Sequence, residues 1–380
     1  MLSLKNVIPI SISSPNSPVD HNSPTSKPLR DTLKAYWCKY TLDFRFTAIT
    51  SRERMDRKPT YFIKLCNSAA EEVFGIGEAG LFRGLSSDDR PDYEMKLSEV
   101  CRDIDRYIEN PSLLADWPSI RFAVETASLD LANGGRRIIC PSEWTDGEGS
   151  ITINGLVWMG DRELMRRRIA EKLNEGFSCV KIKIGGIDFE QELSLLEFIR
   201  HEAPDIELRL DANGAFSPAE AIGKLQRLAN FNIHSIEQPI KAGQWNEMKR
   251  ICQESPIPIA LDEELIGINR RIDKDNLLDT IRPAYIILKP TLTGGIAASE
   301  EWIRLASERD CGWWVTSALE SNIGLNAIAQ WVATLNPQLP QGLGTGQLYH
   351  NNIPSPLTIR GEHLAYAMDR QWGLPSFEWH

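Results

Sequence analysis

The sequence predicts an α/β protein: a (β/α)8-type barrel, or its modified (β/α)7β form, with an N-terminal α+β capping domain. Three observations carry this. From about Ile151 onward, a short β-type segment, a polar turn and a helical stretch recur in that order. The residues Lys183, Asp211, Glu237, Asp262, Lys289, Ser317 and Gly344 mark expected strand ends, spaced by 28, 26, 25, 27, 28 and 27 residues. One βα unit of a closed barrel needs about that length. Residues 32–150 lack the repeat and mix strand and helix patterns, as a separate capping domain would.

The expected organisation is a loose tail over residues 1–31, a cap over 32–150, a barrel over 151–349, and a segment over 350–380 that packs with the cap. Between Ser11 and Pro28 the chain is mostly Ser, Pro and Asn. Such a stretch buries too little apolar surface to order itself. A loose tail, or a start codon placed too far upstream, is expected there. Val7–Ile10 is short and broken by Pro9, unlike a signal peptide.

In the cap, Thr41–Phe46 and Thr60–Leu65 read as strands, and Leu97–Tyr107 and Phe122–Leu131 as helices. Gly75-Ile76-Gly77-Glu78-Ala79-Gly80 matches a dinucleotide-binding fingerprint, but no amphipathic helix follows it. Loops near Thr47–Lys58 and Gly75–Ser87 are instead expected to form a lid over the barrel mouth.

The barrel strands are expected at Ile151–Asn154, Cys179–Ile184, Glu207–Asp211, Ser235–Gln238, Ile257–Leu261, Tyr285–Lys289, Trp313–Ser317 and Gly342–Leu348. Helices fill the gaps. Met165, Ile169 and Leu173 form one apolar stripe, stopped by Gly176. Phe189, Leu193, Leu196 and Ile199 form another. Ser217-Pro218-Ala219-Glu220 has the Ser and Glu of a capping box, with Pro at the first helical position. Arg166-Arg167-Arg168 reads as a solvated helix face, and His234, at the start of a strand, as structural.

Composition excludes several function classes. With 42 Lys and Arg against 52 Asp and Glu, the formal charge is −10, so no basic field would attract nucleic acid. No run of 18 apolar residues could span a membrane. No two of the seven cysteines lie closer than 28 residues, so no C-x-x-C pair exists. Reduced thiols in the cytoplasm are the simpler reading.

Parallel barrel strands are buried on both faces and usually read as apolar runs. Here they end in charge. In Val180-Lys181-Ile182-Lys183-Ile184 the two lysines share one face and the aliphatics the other. The lysines must then point into the barrel. Asp211, Glu237 and Asp262 end the next three strands, and Lys289 the one after. Three carboxylates at one level of a dry cavity would repel one another severely. A divalent cation resolves this, and all-oxygen ligands suit Mg²⁺. Active sites of this fold occupy the same face. Glu263 is either a partner of the ligand residues or an ordinary ion pair.

K-x-K, D-x-N, E-Q-P, D-E and K-P on successive strands resemble the enolase superfamily, in its muconate-lactonising subgroup. The resemblance runs from about Leu42 to the C-terminus and includes Arg121-Phe122-Ala123-Val124-Glu125-Thr126-Ala127. Within the subgroup, Thr316–Gly324 and Gly342–Gly346 look most like o-succinylbenzoate synthases, which dehydrate a cyclohexadiene carboxylate on the menaquinone pathway. The resemblance implies Mg²⁺, with Mn²⁺ as a substitute, on Asp211, Glu237 and Asp262. It implies Lys183 as base, Lys289 as the opposing cation and Lys181 beside Lys183. Asn213, Ser317, Glu320, Gly344, Thr345, Ser51 and Arg52 are expected to contact a small carboxylate substrate. A racemase or epimerase would use the same lysine pair. However, dipeptide epimerases of the subgroup carry Asp-x-Asp on the eighth strand, where this chain has Gly344-Thr345-Gly346. A barrel that only binds a ligand is disfavoured, because idle buried charges are costly.

Overall fold

The computed structural model describes residues 32–49 and 54–380. The expected tail, Ser51 and Arg52 lie outside these residues.

The cap begins with three antiparallel strands in sequence order, β1 (Leu33–Ile49), β2 (Arg54–Asn67) and β3 (Ala70–Ala79). Helices α1 (Tyr93–Arg102), α2 (Ile104–Glu109) and α3 (Pro118–Ala132) follow. The helix expected over Leu97–Tyr107 is thus two helices, parted at Asp103. Tyr61, Ile63 and Leu65 of β2 pack with Leu97, Val100, Ala123 and Ala127 of the helices.

Strand β3 corrects the expected lid. Residues 75–79 are sheet, and their glycines permit close packing on α3. A Cβ at Gly75 would lie 1.9 Å from the Ala127 carbonyl oxygen, and one at Gly77 2.0 Å from that of Ala123. The fingerprint-like spacing therefore serves strand–helix contact and not a phosphate. Thr47–Lys58 is likewise largely strand, with Ala48 opposite Met55 across the β1–β2 pair. Residues 50–53 lie outside the described ones; among those described, residues 80–87 leave the sheet, and Phe82 and Leu85, with Phe46 of β1, pack on the barrel.

The second half alternates strand and helix. In order these are β4 (Ile151–Thr152), β5 (Gly155–Val157), α4 (Arg162–Asn174), β6 (Cys179–Lys183), α5 (Phe189–Glu202), β7 (Glu207–Asp211), α6 (Pro218–Leu228), β8 (Ser235–Glu237), α7 (Trp245–Glu254) and β9 (Ile259–Leu261). Then come α8 (Arg271–Ile281), β10 (Tyr285–Leu288), α9 (Pro290–Thr293), α10 (Ile296–Ser307), β11 (Gly312–Val315) and α11 (Asn322–Leu335). Strands β5 to β11 form one seven-stranded sheet, each beside its sequence neighbour, and the pairs are parallel.

Gln341 and Gly342 close the ring. Gln341 bridges Ile153 and Gly342 bridges Thr316, both in parallel sense. Gln341 N donates to Thr152 O and Asn154 N to Gln341 O, each at 2.9 Å, while Gly342 N donates to Val315 O at 2.8 Å. The eighth strand is thus two residues long, against the expected Gly342–Leu348, and residues 344–347 form a short 3-10 helix. The first strand also shifts. Ile151–Thr152 pairs antiparallel with the C-terminal hairpin, β12 (Leu357–Arg360) and β13 (His363–Tyr366), and the chain enters the barrel at Ile153, which bridges Gln341, before β5 pairs with β6.

The helices bury the stripes read from the sequence. Met165 and Ile169 of α4 and Leu193, Leu196 and Ile199 of α5 join the barrel core, with Leu173 and Phe189 partly buried against it; Leu225 and Leu228 of α6 join it too. The capping box of Ser217 and Glu220 is present. At the chain end, Trp372, Leu374, Phe377 and Trp379 pack on Cys38, Phe62 and Ile76 of the cap. His380 and Trp37 exchange backbone hydrogen bonds at 2.9 and 3.2 Å. Among the described residues no helix is long and apolar enough to cross a membrane.

Candidate active site

Parallel register places the charged strand ends in one row. Lys183 pairs with Asp211, and Asp211 with Glu237. Asp262 and Lys289 each follow the last residue of their strand, β9 and β10. All of these side chains are buried or nearly so.

Lysines and carboxylates interlock. Lys181 Nζ donates to Glu237 Oε2 at 2.7 Å and lies 3.2 Å from Asp211 Oδ2. Lys183 Nζ donates to Asp211 Oδ2 at 2.9 Å and to Asn213 Oδ1 at 2.7 Å. Lys289 pairs with Asp262. The D-x-N spacing has a local cause: Asp211 Oδ1 accepts the Asn213 N–H at 3.1 Å, two residues on, as in an Asx turn. That turn holds Asn213 at φ 44. Its amide then bridges Lys183 to Glu263 Oε1, 3.0 Å from Nδ2.

The electrostatics are opposed. Burial disfavours the charged form of Asp211, but Lys181 and Lys183 outweigh it and hold its carboxyl far below the usual range. Burial, then the neighbouring Asp211 charge, push Glu237 well above that range. For Lys181 and Lys289 burial lowers the pKa, and the facing carboxylates more than restore it, so both are raised.

Among the described residues, no group of three or more His, Cys, Asp or Glu side chains is already gathered to hold a metal ion. The donor set nonetheless fits one. Oε1 of Glu237 is buried without a hydrogen-bond partner. It stands among carboxylates of two adjacent strand ends, which together give a hard all-oxygen set. In this structure the ammonium groups of Lys181, Lys183 and Lys289 face these carboxylates.

Above the charged floor lies a cavity lined by Lys181, Lys183, Asp211, Asn213 and Lys289; its empty space, open mouth included, is about 710 Å³. Ser317, Gly344 and Thr345 also line it, and Ser317 and Thr345 share a hydrogen bond of 2.5 Å. Glu237 and Asp262 sit beneath the lysines, outside the lining.

Glu320 corrects one expected substrate contact. It is fully buried, accepts from Thr291 Oγ1 and from Ala318 N, and does not reach the cavity. The strand turns at Leu319, at φ 62, and carries Glu320 toward the cap.

Sequence reasoning missed the apolar wall. Phe82 and Leu85 of the cap meet Trp158, Leu292 and Leu319 of the barrel in the lining. Trp158 immediately follows β5, and the Lys183 ammonium lies 5.8 Å from its ring centre. Its place at a strand end was the available signal. Arg168, expected on a solvated face, is half-buried instead; it donates to the Trp158 and Met159 carbonyls at 3.0 and 2.9 Å. Gln238 of the E-Q-P run was also missed. At φ 40, it accepts from Asp262 N and Glu264 N at 3.2 and 3.3 Å, tying two strand ends together. His234 lies at the opposite barrel end, before β8, beside Tyr285.

Residues 164–374 match the enolase C-terminal domain-like family. With the lysines and carboxylates of its strand ends, the chain belongs to the enolase superfamily, whose members use a divalent metal ion. It is 45% identical over 362 residues to an o-succinylbenzoate synthase of Desulfotalea psychrophila, covering 86% of this chain and 97% of that one. The crystal structure of MenC from Desulfotalea psychrophila aligns with a TM-score of 0.77 at 42% identity, over 88% of this chain and 99% of that one. Within the superfamily the chain is thus a member of the o-succinylbenzoate synthase family, an enzyme of the lyase class. A muconate lactonizing enzyme of Pseudomonas fluorescens shares the fold, with a TM-score of 0.73 at 22% identity, over 90% and 96% of the two chains.

Proposed function

We propose that the protein is a Mg²⁺-dependent o-succinylbenzoate synthase, dehydrating 2-succinyl-6-hydroxy-2,4-cyclohexadiene-1-carboxylate to 2-succinylbenzoate in menaquinone biosynthesis. The observation that carries this is 45% identity along nearly the whole length of such an enzyme. The cavity supports it, because a charged floor beneath an apolar wall suits a ring that bears a carboxylate.

Asp211, Glu237 and Asp262 would hold the metal. When bound, Mg²⁺ supplies positive charge that offsets these carboxylates and stabilises charge developing on the substrate carboxylate. Lys183 removes the α-proton, and the electron pair moves into the carboxylate as an enediolate. The pair then returns to the ring and the C–O bond breaks. The hydroxyl departs as water with the proton that Lys183 gives back. One lysine serves both transfers because the elimination is syn. Lys289, paired with Asp262 across the barrel, stays cationic and faces the enediolate. Lys181 orients the carboxylates beside Lys183. Phe82, Leu85 and Trp158 exclude water from the reacting face.

Turnover tests the reading. Purified protein with Mg²⁺ is expected to bleach the diene absorbance of the cyclohexadiene carboxylate. N-succinyl amino acids, incubated in D₂O, should exchange their α-hydrogen far more slowly. Rapid exchange with no diene loss would assign the site to an N-acylamino acid racemase.

A further inference from the structure

Two carboxylates of the cap enter the barrel without touching the cavity. Glu78, on β3, is fully buried. Its Oε1 accepts from Thr60 Oγ1 at 2.7 Å and from Ser321 N at 2.9 Å. Its Oε2 accepts from Ser321 Oγ at 2.6 Å and from Gly324 N at 2.9 Å. Ser321 is the N-cap of α11. Glu125, on α3, does the same one unit earlier. Its Oε2 accepts from Ile296 N at 2.7 Å and its Oε1 from Ala297 N at 3.0 Å, the first two residues of α10.

The backbone is shaped for these contacts. Gly295 precedes α10 at φ 96, and a Cβ there would fall 2.2 Å from Glu125 Oε2. A Cβ at Gly324 would lie 3.0 Å from Glu78 Oε2. Each carboxylate thus satisfies helix N–H groups that have no partner within the helix, and meets the positive end of the dipole.

Their positions relate to the cavity. Helix α11 follows the segment Thr316–Leu319, which forms one cavity wall. Helix α10 follows the turn that begins at Lys289. Strand β3 ends at Ala79, three residues before Phe82, which with Leu85 belongs to the apolar wall. We propose that Glu78 and Glu125 are positioning residues. Glu78 sets the cap wall against the wall of Thr316–Leu319, and Glu125 sets the turn that carries Lys289. Neither acts on the substrate. Both act by locking the cap to the starts of two successive barrel helices.

The kinetic arm of the test rests on the dehydratase reading, and the exchange arm does not. Glu78→Gln and Glu125→Gln keep size and remove charge, and each leaves an amide facing N–H donors. Because Glu78 governs walls that bind, its variant should raise KM about fivefold or more and leave kcat within about twofold. Because Glu125 governs the Lys289 turn, its variant should lower kcat about fivefold or more with KM little changed. Hydrogen exchange followed by mass spectrometry should quicken over residues 80–88 and 316–320 in the first variant and over 289–297 in the second. If either variant fails to fold, Thr60→Val and Glu125→Asp should show the same changes more weakly. Folded variants with wild-type kcat, KM and exchange in these segments, differing only in unfolding midpoint, would overturn the proposal. If the wild type does not turn over the cyclohexadiene, the dehydratase reading fails and the exchange result alone decides.

Discussion

Lys183→Ala is expected to abolish dehydration while leaving the fold and metal binding in place. The lysine is buried in the cavity floor, where it donates to Asp211 Oδ2 and Asn213 Oδ1. Alanine removes the group proposed both to take the α-proton and to return it to the leaving hydroxyl, so both halves of the elimination are lost. The variant should also fail to exchange the α-proton of substrate, which separates loss of the base from loss of the leaving-group acid. Lys181, which holds both Glu237 and Asp211, is expected not to substitute. Steady-state kinetics and solvent-deuterium exchange check this. Retention of more than about a tenth of wild-type activity, a loss under ~1.4 kcal/mol, would mean that another group is the base.

Lys289→Ala is expected to cost several orders of magnitude in kcat, with a smaller change in KM. Its ammonium is paired with Asp262 at the far side of the cavity from Lys183. Charge aimed at a site where negative charge develops acts on the transition state more than on bound substrate. A group of this kind has large effects, because removal of a single preorganised donor commonly costs ~10²–10³ in kcat. The α-proton should still exchange slowly in this variant, since Lys183 remains. A variant with near-normal kcat and a raised KM would show that Lys289 only binds the substrate.

The barrel was legible because its repeat is nearly constant and its buried strands end in residues that a core does not tolerate alone. Lys183, Asp211 and Glu237 occupy one register row, as the spacing requires. The first and eighth strands were harder. Apolar residues flank Asn154 on both sides, so local pattern could not tell that Ile151–Thr152 belongs with the C-terminal hairpin. Closure of the ring takes only Gln341 and Gly342, too few residues for periodicity to register. Strand β3 was missed because Glu71, Glu72, Gly75 and Gly77 are poor strand formers in isolation. They are tolerated because α3 packs on the glycines. The apolar wall is a tertiary product: Phe82 and Leu85 come from the cap, and nothing near them in sequence points to Trp158 or Leu319. Glu320 was misplaced for a related reason. The strand-end rule assumes that the chain continues along the barrel axis, and the left-handed turn at Leu319 breaks that assumption.

The proposed metal site is the centre of the account, and activity after metal removal tests it most directly. Wild-type protein and Asp211→Asn would be dialysed exhaustively against EDTA and assayed on the cyclohexadiene carboxylate before and after addition of Mg²⁺. The wild type should lose essentially all activity in EDTA and recover it with Mg²⁺ or Mn²⁺. The Asp211→Asn protein, shown to be folded by circular dichroism, should stay inactive at Mg²⁺ concentrations that saturate the wild type. Full wild-type activity in excess EDTA would contradict the assignment of Asp211, Glu237 and Asp262 as ligands of a required metal ion.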